Sequence, residues 1–193
     1  MAKTINIPDE KIRCGWCGSD PLYVKYHDEE WGREVTDDKI LFEFLVLESA
    51  QAGLSWITVL RKREGYRKAF ADFDAGKVAR FTEKDVEKLM LNEGIVRNRL
   101  KIKAAISNAK LFLELQEEFG SFRNYICGFF PGGKPLINHP KTLKEVPPRN
   151  EISDRISADM KKRGFKFFGT TICYAHLQAT GMINDHVADC FCA

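Results

Sequence analysis

The chain has 193 residues, of which 44% are hydrophobic and 30% charged, with a formal net charge of +3. This length and balance support one compact domain, or two lobes sharing a core, and exclude an intrinsically disordered chain. No apolar run reaches membrane-spanning length and the first ten residues lack a signal-peptide core, while the small positive charge permits nucleic-acid binding without demanding it.

In chain order, residues 1–12 read as a flexible arm and residues 13–193 as a single domain with a helical core over about 36–127. Arg13-Cys14-Gly15-Trp16-Cys17 and the segment from Asp20 to Gly32 form an aromatic wall punctuated by Pro21 and Gly32. Thr36-Asp37-Asp38 caps a helix whose run Ile40, Leu41, Phe42, Phe44, Leu45, Val46 and Leu47 is too apolar for a surface helix. Glu48 ends that run. A carboxylate carried into apolar surroundings must be paired, protonated or in use. Gln51 follows on the same side of the helix. Gly53 then breaks the helix, and Ser55 is placed to cap a second one over Trp56–Glu64. Thr82 to Asp85 resembles a capping box opening a helix through Leu91. Gly94 interrupts, and a long helix is expected from about Arg97 to Glu118. Residues 128–150 hold five of the seven prolines and read as a long irregular loop. Ser153 is expected to cap a helix reaching Arg163, and Thr170 or Thr171 to start another that ends at Gly181. Almost nothing alternates with a two-residue period, so the fold class is all-α.

Two features carry chemistry beyond Glu48. His186 and Cys190 stand at i and i+4, while Cys14, Cys17 and His27 lie near the other end of the chain. In a cytosolic chain, where thiols stay reduced, two thiolates and two imidazoles suit a closed, structural zinc site stapling the two ends together. Spacing does not choose between Cys17 and His27 as the fourth ligand. Any one of these pairs alone would read as plain thiols and core histidines. The second feature is Leu89 to Arg99, which looks like a helix–hairpin–helix near residues 85–110, with Gly94 in the turn and Val96 where a second glycine is usual. Such a turn offers backbone N–H groups to a DNA phosphate, and Arg97, Arg99, Lys101 and Lys103 follow as expected clamps. Arg61-Lys62-Arg63 and the Lys161–Lys166 stretch are two further basic clusters suited to a DNA-backbone face.

Several of these segments together carry a family resemblance: Arg13-Cys14-Gly15-Trp16, Tyr26-His27-Asp28, Glu30-Trp31-Gly32, Glu48 through Thr58, Lys162 through Phe167, Gly169 through Tyr174, and Asn184-Asp185-His186. They resemble, in order and over most of the chain, the 3-methyladenine DNA glycosylase I family of bacteria, a divergent branch of the helix–hairpin–helix glycosylases. The resemblance implies an all-α enzyme that hydrolyses the N-glycosidic bond of 3-methyladenine and 3-methylguanine in double-stranded alkylated DNA, starting base excision repair. It implies one structural Zn2+ per chain, held by Cys14, His27, His186 and Cys190. It makes Glu48 the pocket carboxylate and Tyr26 and Trp56 its aromatic lining, with Trp16 and Tyr23 as further wall and Gln51 beside them. Gly53 and Leu54 would occupy the turn that probes the gap left by the flipped nucleotide. The implied protein is a monomer of the bacterial cytosol, with no membrane partner.

The related glycosylases usually carry a catalytic Asp downstream of the hairpin. No Asp occurs between Asp85 and Asp154, which leaves Glu48. An N3-methylated adenine is cationic, so its glycosidic bond is already weakened and the departing base needs no protonation. No buried lysine offers an amine nucleophile, so a hydrolase without lyase activity is expected. The alternative is a zinc-stapled, non-catalytic DNA-binding protein whose aromatics are simply core.

Overall fold

A computed structural model of the chain describes residues 10–193. The expected arm thus falls mostly outside the described residues, and within them the Ile12 carbonyl accepts from the Phe191 N–H at 3.0 Å. Helix α1 spans Pro21–Glu29, α2 Asp38–Gln51, α3 Trp56–Leu60, α4 Arg63–Ala69, α5 Ala75–Val78, α6 Glu83–Leu91, α7 Arg99–Phe119, α8 Phe122–Cys127, α9 Glu151–Arg163 and α10 Thr170–Ala179. Among the described residues the only strands are β1 (Leu136–Ile137) and β2 (Ile183–Asn184), paired in parallel with Leu136 opposite Ile183. No helix among these residues is long and apolar enough to cross a membrane.

The centre of the molecule is α2. Every residue from Leu41 to Ala50 is buried, as a helix apolar on all sides requires, and α3, α7, α8 and α10 pack around it. Asp37 caps its start by accepting from the Lys39 N–H at 2.8 Å. Asp38 turns outward from the same turn and accepts from Phe122 N–H at 2.7 Å and Arg123 N–H at 3.0 Å, which satisfies the first amides of α8. The α6 capping box is present, with Asp85 accepting from the Thr82 N–H at 2.8 Å.

Three expected boundaries move. The helix expected over Trp56–Glu64 ends at Leu60, and α4 starts afresh at Arg63. Arg63 is drawn inward between Glu43, at 2.5 Å, and Glu30, at 2.6 Å. Ser55 stands at the N-cap position of α3 but spends its hydroxyl on Thr58 Oγ1. Helix α9 is capped by Asn150, with Ser153 closing the box from three residues on. Helix α7 begins at Arg99 after an Asn98 cap.

The turn between α6 and α7, where the hairpin is expected, is fastened from two sides. Gly65 on α4 packs directly on the Gly94 backbone, and a Cβ at Gly65 would overlap the Gly94 carbonyl. Tyr66, next on α4, has its hydroxyl accepting from the Val96 N–H at 3.2 Å. Arg99 pairs with Glu83 and Glu87 at 2.7–2.9 Å, tying the start of α7 to α6.

Candidate active site

Five aromatic rings, Trp16, Tyr23, Tyr26, Trp31 and Trp56, line a cavity of about 410 Å³. Trp16 lies 5.0 Å from Tyr23 and 4.9 Å from Trp31, and Tyr26 lies 5.4 Å from Trp56, all tilted or edge-on. Glu48 and Gln51 enter from α2, Ala175 and Gln178 from α10, and Asp185 follows β2. The proline-rich loop supplies Leu143, Val146, Pro147 and Pro148.

Glu48 is 2% exposed and its Oε2 has no hydrogen-bond partner among the described residues. Desolvation pushes its pKa up to about 8. The indole N–H groups of Trp16 and Trp56 are likewise buried without acceptors. Three residues of the cavity lining thus carry one unsatisfied buried acceptor and two unsatisfied buried donors among the described residues, groups that a flat, polar-edged ligand could satisfy on entering. Burial, then the nearby Glu48, holds the Tyr26 phenol well above its ordinary value.

Asp185 differs from Glu48. It accepts from Asn138 Nδ2 at 2.7 Å, Tyr174 Oη at 2.7 Å and Gln178 Nε2 at 2.8 Å, so its oxygens are satisfied. The structure thus brings together Glu48, Gln51, Trp16, Tyr23, Tyr26 and Trp56, and adds Trp31, Gln178, Asp185 and the 143–148 segment. Trp31 and Asp185 stood within segments that carried the family resemblance. Gln178 and the loop gave no signal.

The turn after α2 is of type II. Ala52 has φ −43° and ψ 112°, Gly53 has φ +79°, and the Leu54 N–H reaches the Gln51 carbonyl at 2.6 Å. Only glycine takes that φ at no steric cost. Leu54 projects beyond it, 40% exposed. The basic residues expected as phosphate clamps each meet a partner within the protein. Arg97 faces Glu93 at 3.6 Å, Arg99 holds Glu83 and Glu87, and Lys103 pairs with Glu83 at 2.9 Å. Lys101 turns inward and donates to the Ala50 and Ala52 carbonyls. The two other basic clusters are also partly consumed. Arg61 pairs with Asp20, Lys62 donates to the Glu93 carbonyl, and Arg163 holds Asp159 and Glu118.

Beside the aromatic wall, Cys14, His27, His186 and Cys190 are all buried, with their ligating atoms within 4.8 Å of one another. Cys14 Sγ and Cys190 Sγ each lie 3.5 Å from His186 Nδ1, and Cys190 Sγ lies 3.5 Å from His27 Nε2. The outward nitrogens are occupied: His27 Nδ1 meets Asp28 Oδ1 at 2.8 Å, and His186 Nε2 meets the Trp31 carbonyl at 3.1 Å. Arg13 in turn grips Asp28 through two nitrogens. Cys17 points away and donates to the Cys14 carbonyl at 3.1 Å. Trp16 stands 5.3 Å from His27, and Trp31 4.6 Å from His186, so this cluster and the cavity share a wall.

A family model described as methyladenine glycosylase matches residues 16–193. DNA-3-methyladenine glycosylase 1 of Escherichia coli (strain K12) is 51% identical over 180 residues, 93% of this chain and 96% of that protein. A solved structure of a 3-methyladenine DNA glycosylase I superposes with a TM-score of 0.90 at 49% identity, covering 94% of this chain and 99% of that one. Another, of the enzyme from Staphylococcus aureus described for its recognition of 3-methyladenine, superposes with a TM-score of 0.89 at 36% identity. The two cover 93% of this chain and 95% of that one.

Proposed function

The chain belongs to the methyladenine glycosylase family, and from that premise we propose that it hydrolyses the N-glycosidic bond of 3-methyladenine in alkylated DNA. The observation that carries the reading is the unpartnered Glu48 carboxyl inside an aromatic cavity. A 3-methyladenine nucleotide bears its positive charge on the ring. Extruded from the duplex, that ring stacks against Tyr26 and Trp56 through cation–π contact, and Glu48 accepts from its exocyclic amine. The cationic ring favours the ionised form of Glu48, which burial otherwise keeps protonated, and neutral adenine gains neither that attraction nor the cation–π term.

Cleavage moves the C1′–N9 bonding pair onto the base, which cancels the ring charge, and water adds at C1′ with loss of a proton. The base leaves neutral, so no general acid is needed. Among the described residues the cavity lining contains no lysine, which supports hydrolysis without a lyase step. The turn at Gly53 and Leu54 serves to fill the gap left by the extruded nucleotide. The Gly94 hairpin approaches the phosphates of double-stranded DNA through its backbone, with Arg97 at its rim.

The Cys14, His27, His186 and Cys190 cluster fits a single zinc ion. A tetrahedral centre with sulfur at about 2.3 Å and nitrogen at about 2.0–2.1 Å has sulfur–nitrogen edges of about 3.6 Å, close to the 3.5 Å separations here. Acceptors at the outward ring nitrogens leave the inward ones free of protons, as ligation requires. Burial pushes the Cys14 thiol up to about 12, and a cation at the centre reverses that preference. With no open position, the ion would be structural, holding the Trp16 and Trp31 side of the cavity.

The test is incubation with methylated duplex DNA and chromatography of the freed bases. Release of 3-methyladenine with little 7-methylguanine is expected, and its loss in Glu48→Gln. A folded protein that binds the duplex but frees no base would instead support a non-catalytic DNA-binding role.

A further inference from the structure

Lys101 was expected on the DNA phosphates, and its geometry points elsewhere. Helix ends leave carbonyls without intrahelical partners. At the end of α2 the Lys101 ammonium donates to the Ala50 carbonyl at 2.8 Å and the Ala52 carbonyl at 2.6 Å, on either side of Gln51. The Gln51 carbonyl itself closes the type II turn that lifts Leu54. Two of the three ammonium N–H groups are thus committed to the root of that turn. A phosphate could take only the third without breaking this tether.

The other end of the same residue belongs to the hairpin. The Lys101 N–H is accepted by the Asn98 cap at 3.1 Å, in the first turn of α7. The hairpin is fixed to α4 through Gly65 and Tyr66 and to α6 through Arg99. One side chain therefore spans from the hairpin to the turn carrying Leu54. It also places a positive charge at the negative end of the α2 dipole.

We propose that Lys101 is a positioning residue that holds the Ala52–Ser55 turn in register with the hairpin, so that nucleotide extrusion depends on it while recognition of the free base does not. The role rests on the glycosylase reading above. Displacing a reacting geometry by about 1 Å can cost about a hundredfold in rate, and the turn has no other side-chain tether from α7 among the described hydrogen bonds.

The test uses the full chain with Lys101→Met, which keeps the aliphatic stem, Lys101→Arg, Leu54→Ala, and Lys101→Met combined with Leu54→Ala. Free 3-methyladenine is titrated by tryptophan quenching, undamaged duplex by affinity against salt, and methylated duplex by single-turnover excision at saturating protein. For Lys101→Met, free-base and duplex affinities should stay within about twofold of the parent, while excision falls about tenfold or more. Lys101→Arg should recover most of the loss, because its planar fork can donate to both carbonyls. Adding Leu54→Ala to Lys101→Met should cost little further.

A weaker duplex affinity with a salt slope smaller by about 1, and intact excision at saturation, would make Lys101 a phosphate contact and overturn the proposal. Parallel losses in free-base affinity, excision and melting temperature would reduce it to general stabilisation, and no change in any readout would remove it. A parent protein that frees no 3-methyladenine would overturn the glycosylase reading, and this role with it.

Discussion

Burial moves Glu48 and His176 in opposite directions. Glu48 rises from 4.5 to about 8, so between those values the folded chain holds a proton that the unfolded chain has released. Folding therefore becomes less favourable as pH rises through that window. His176 is packed between Phe122 and Phe168 with neither ring nitrogen partnered among the described residues, and burial lowers it from 6.5 to about 3. There the unfolded chain takes the proton first, and stability is lost as pH falls below 6.5. Glu48→Gln should accordingly gain on the parent as pH climbs above 4.5, by about 3 kcal/mol near neutrality, and level off above about 8. His176→Leu should gain on the parent as pH falls, by about 2 kcal/mol near pH 5. Urea denaturation across the pH range reads both slopes, and curves parallel to the parent would contradict the burial argument. Glu48 was legible in the sequence because it ends an apolar run on its own helix. His176 was not, because its two phenylalanine neighbours arrive from α8 and from the segment before α10, and no local pattern records them.

Backbone contact between α4 and the hairpin leads to a sharper expectation for two glycines. A Cβ at Gly65 meets the Gly94 backbone, whereas one at Gly94 meets Asn92 Oδ1 at 3.0 Å and Gly65 Cα at 3.2 Å. Gly65→Ala should cost about 3 kcal/mol or more and Gly94→Ala distinctly less, since overpacking is worst where nothing flexible can yield. Comparable losses in thermal melts would mean that the hairpin is free to slide on α4. At this scale the sequence spoke clearly where the signal was local: the apolar α2, its Asp37 cap, and the Thr82–Asp85 box. It failed where distant charges intervened. The break between α3 and α4 follows from Arg63 seating between Glu30 and Glu43. The proline-rich loop read as irregular, and it is so apart from β1 and two single 3-10 turns at Pro131–Gly133 and Leu143–Glu145, but nothing in its composition said that Leu143 to Pro148 would line a cavity built on α2 and α10.

Across the whole molecule, the cavity depends on a join between distant parts of the chain. Stripping the proposed zinc with a chelator, or His186→Ala, should lower the melting temperature by about 10 °C or more. It should also alter tryptophan emission, since Trp16 and Trp31 lie against His27 and His186. Unchanged melting after verified metal loss would reject a structural ion. The ligand types were legible as chemistry, yet spacing alone left Cys17 and His27 equivalent. In the fold His27 Nε2 comes within 3.5 Å of Cys190 Sγ while Cys17 donates to the Cys14 carbonyl, which favours His27. That join also has a consequence in time. His186 follows Cys14 by 172 residues, and a ribosome adding about 5–20 residues per second takes on the order of ten seconds or more to supply it. Throughout that interval Trp16, Tyr23 and Tyr26 are already made but lack the fastening through His186 and Cys190, so a nascent chain carries an unfinished pocket until those two residues have left the exit tunnel.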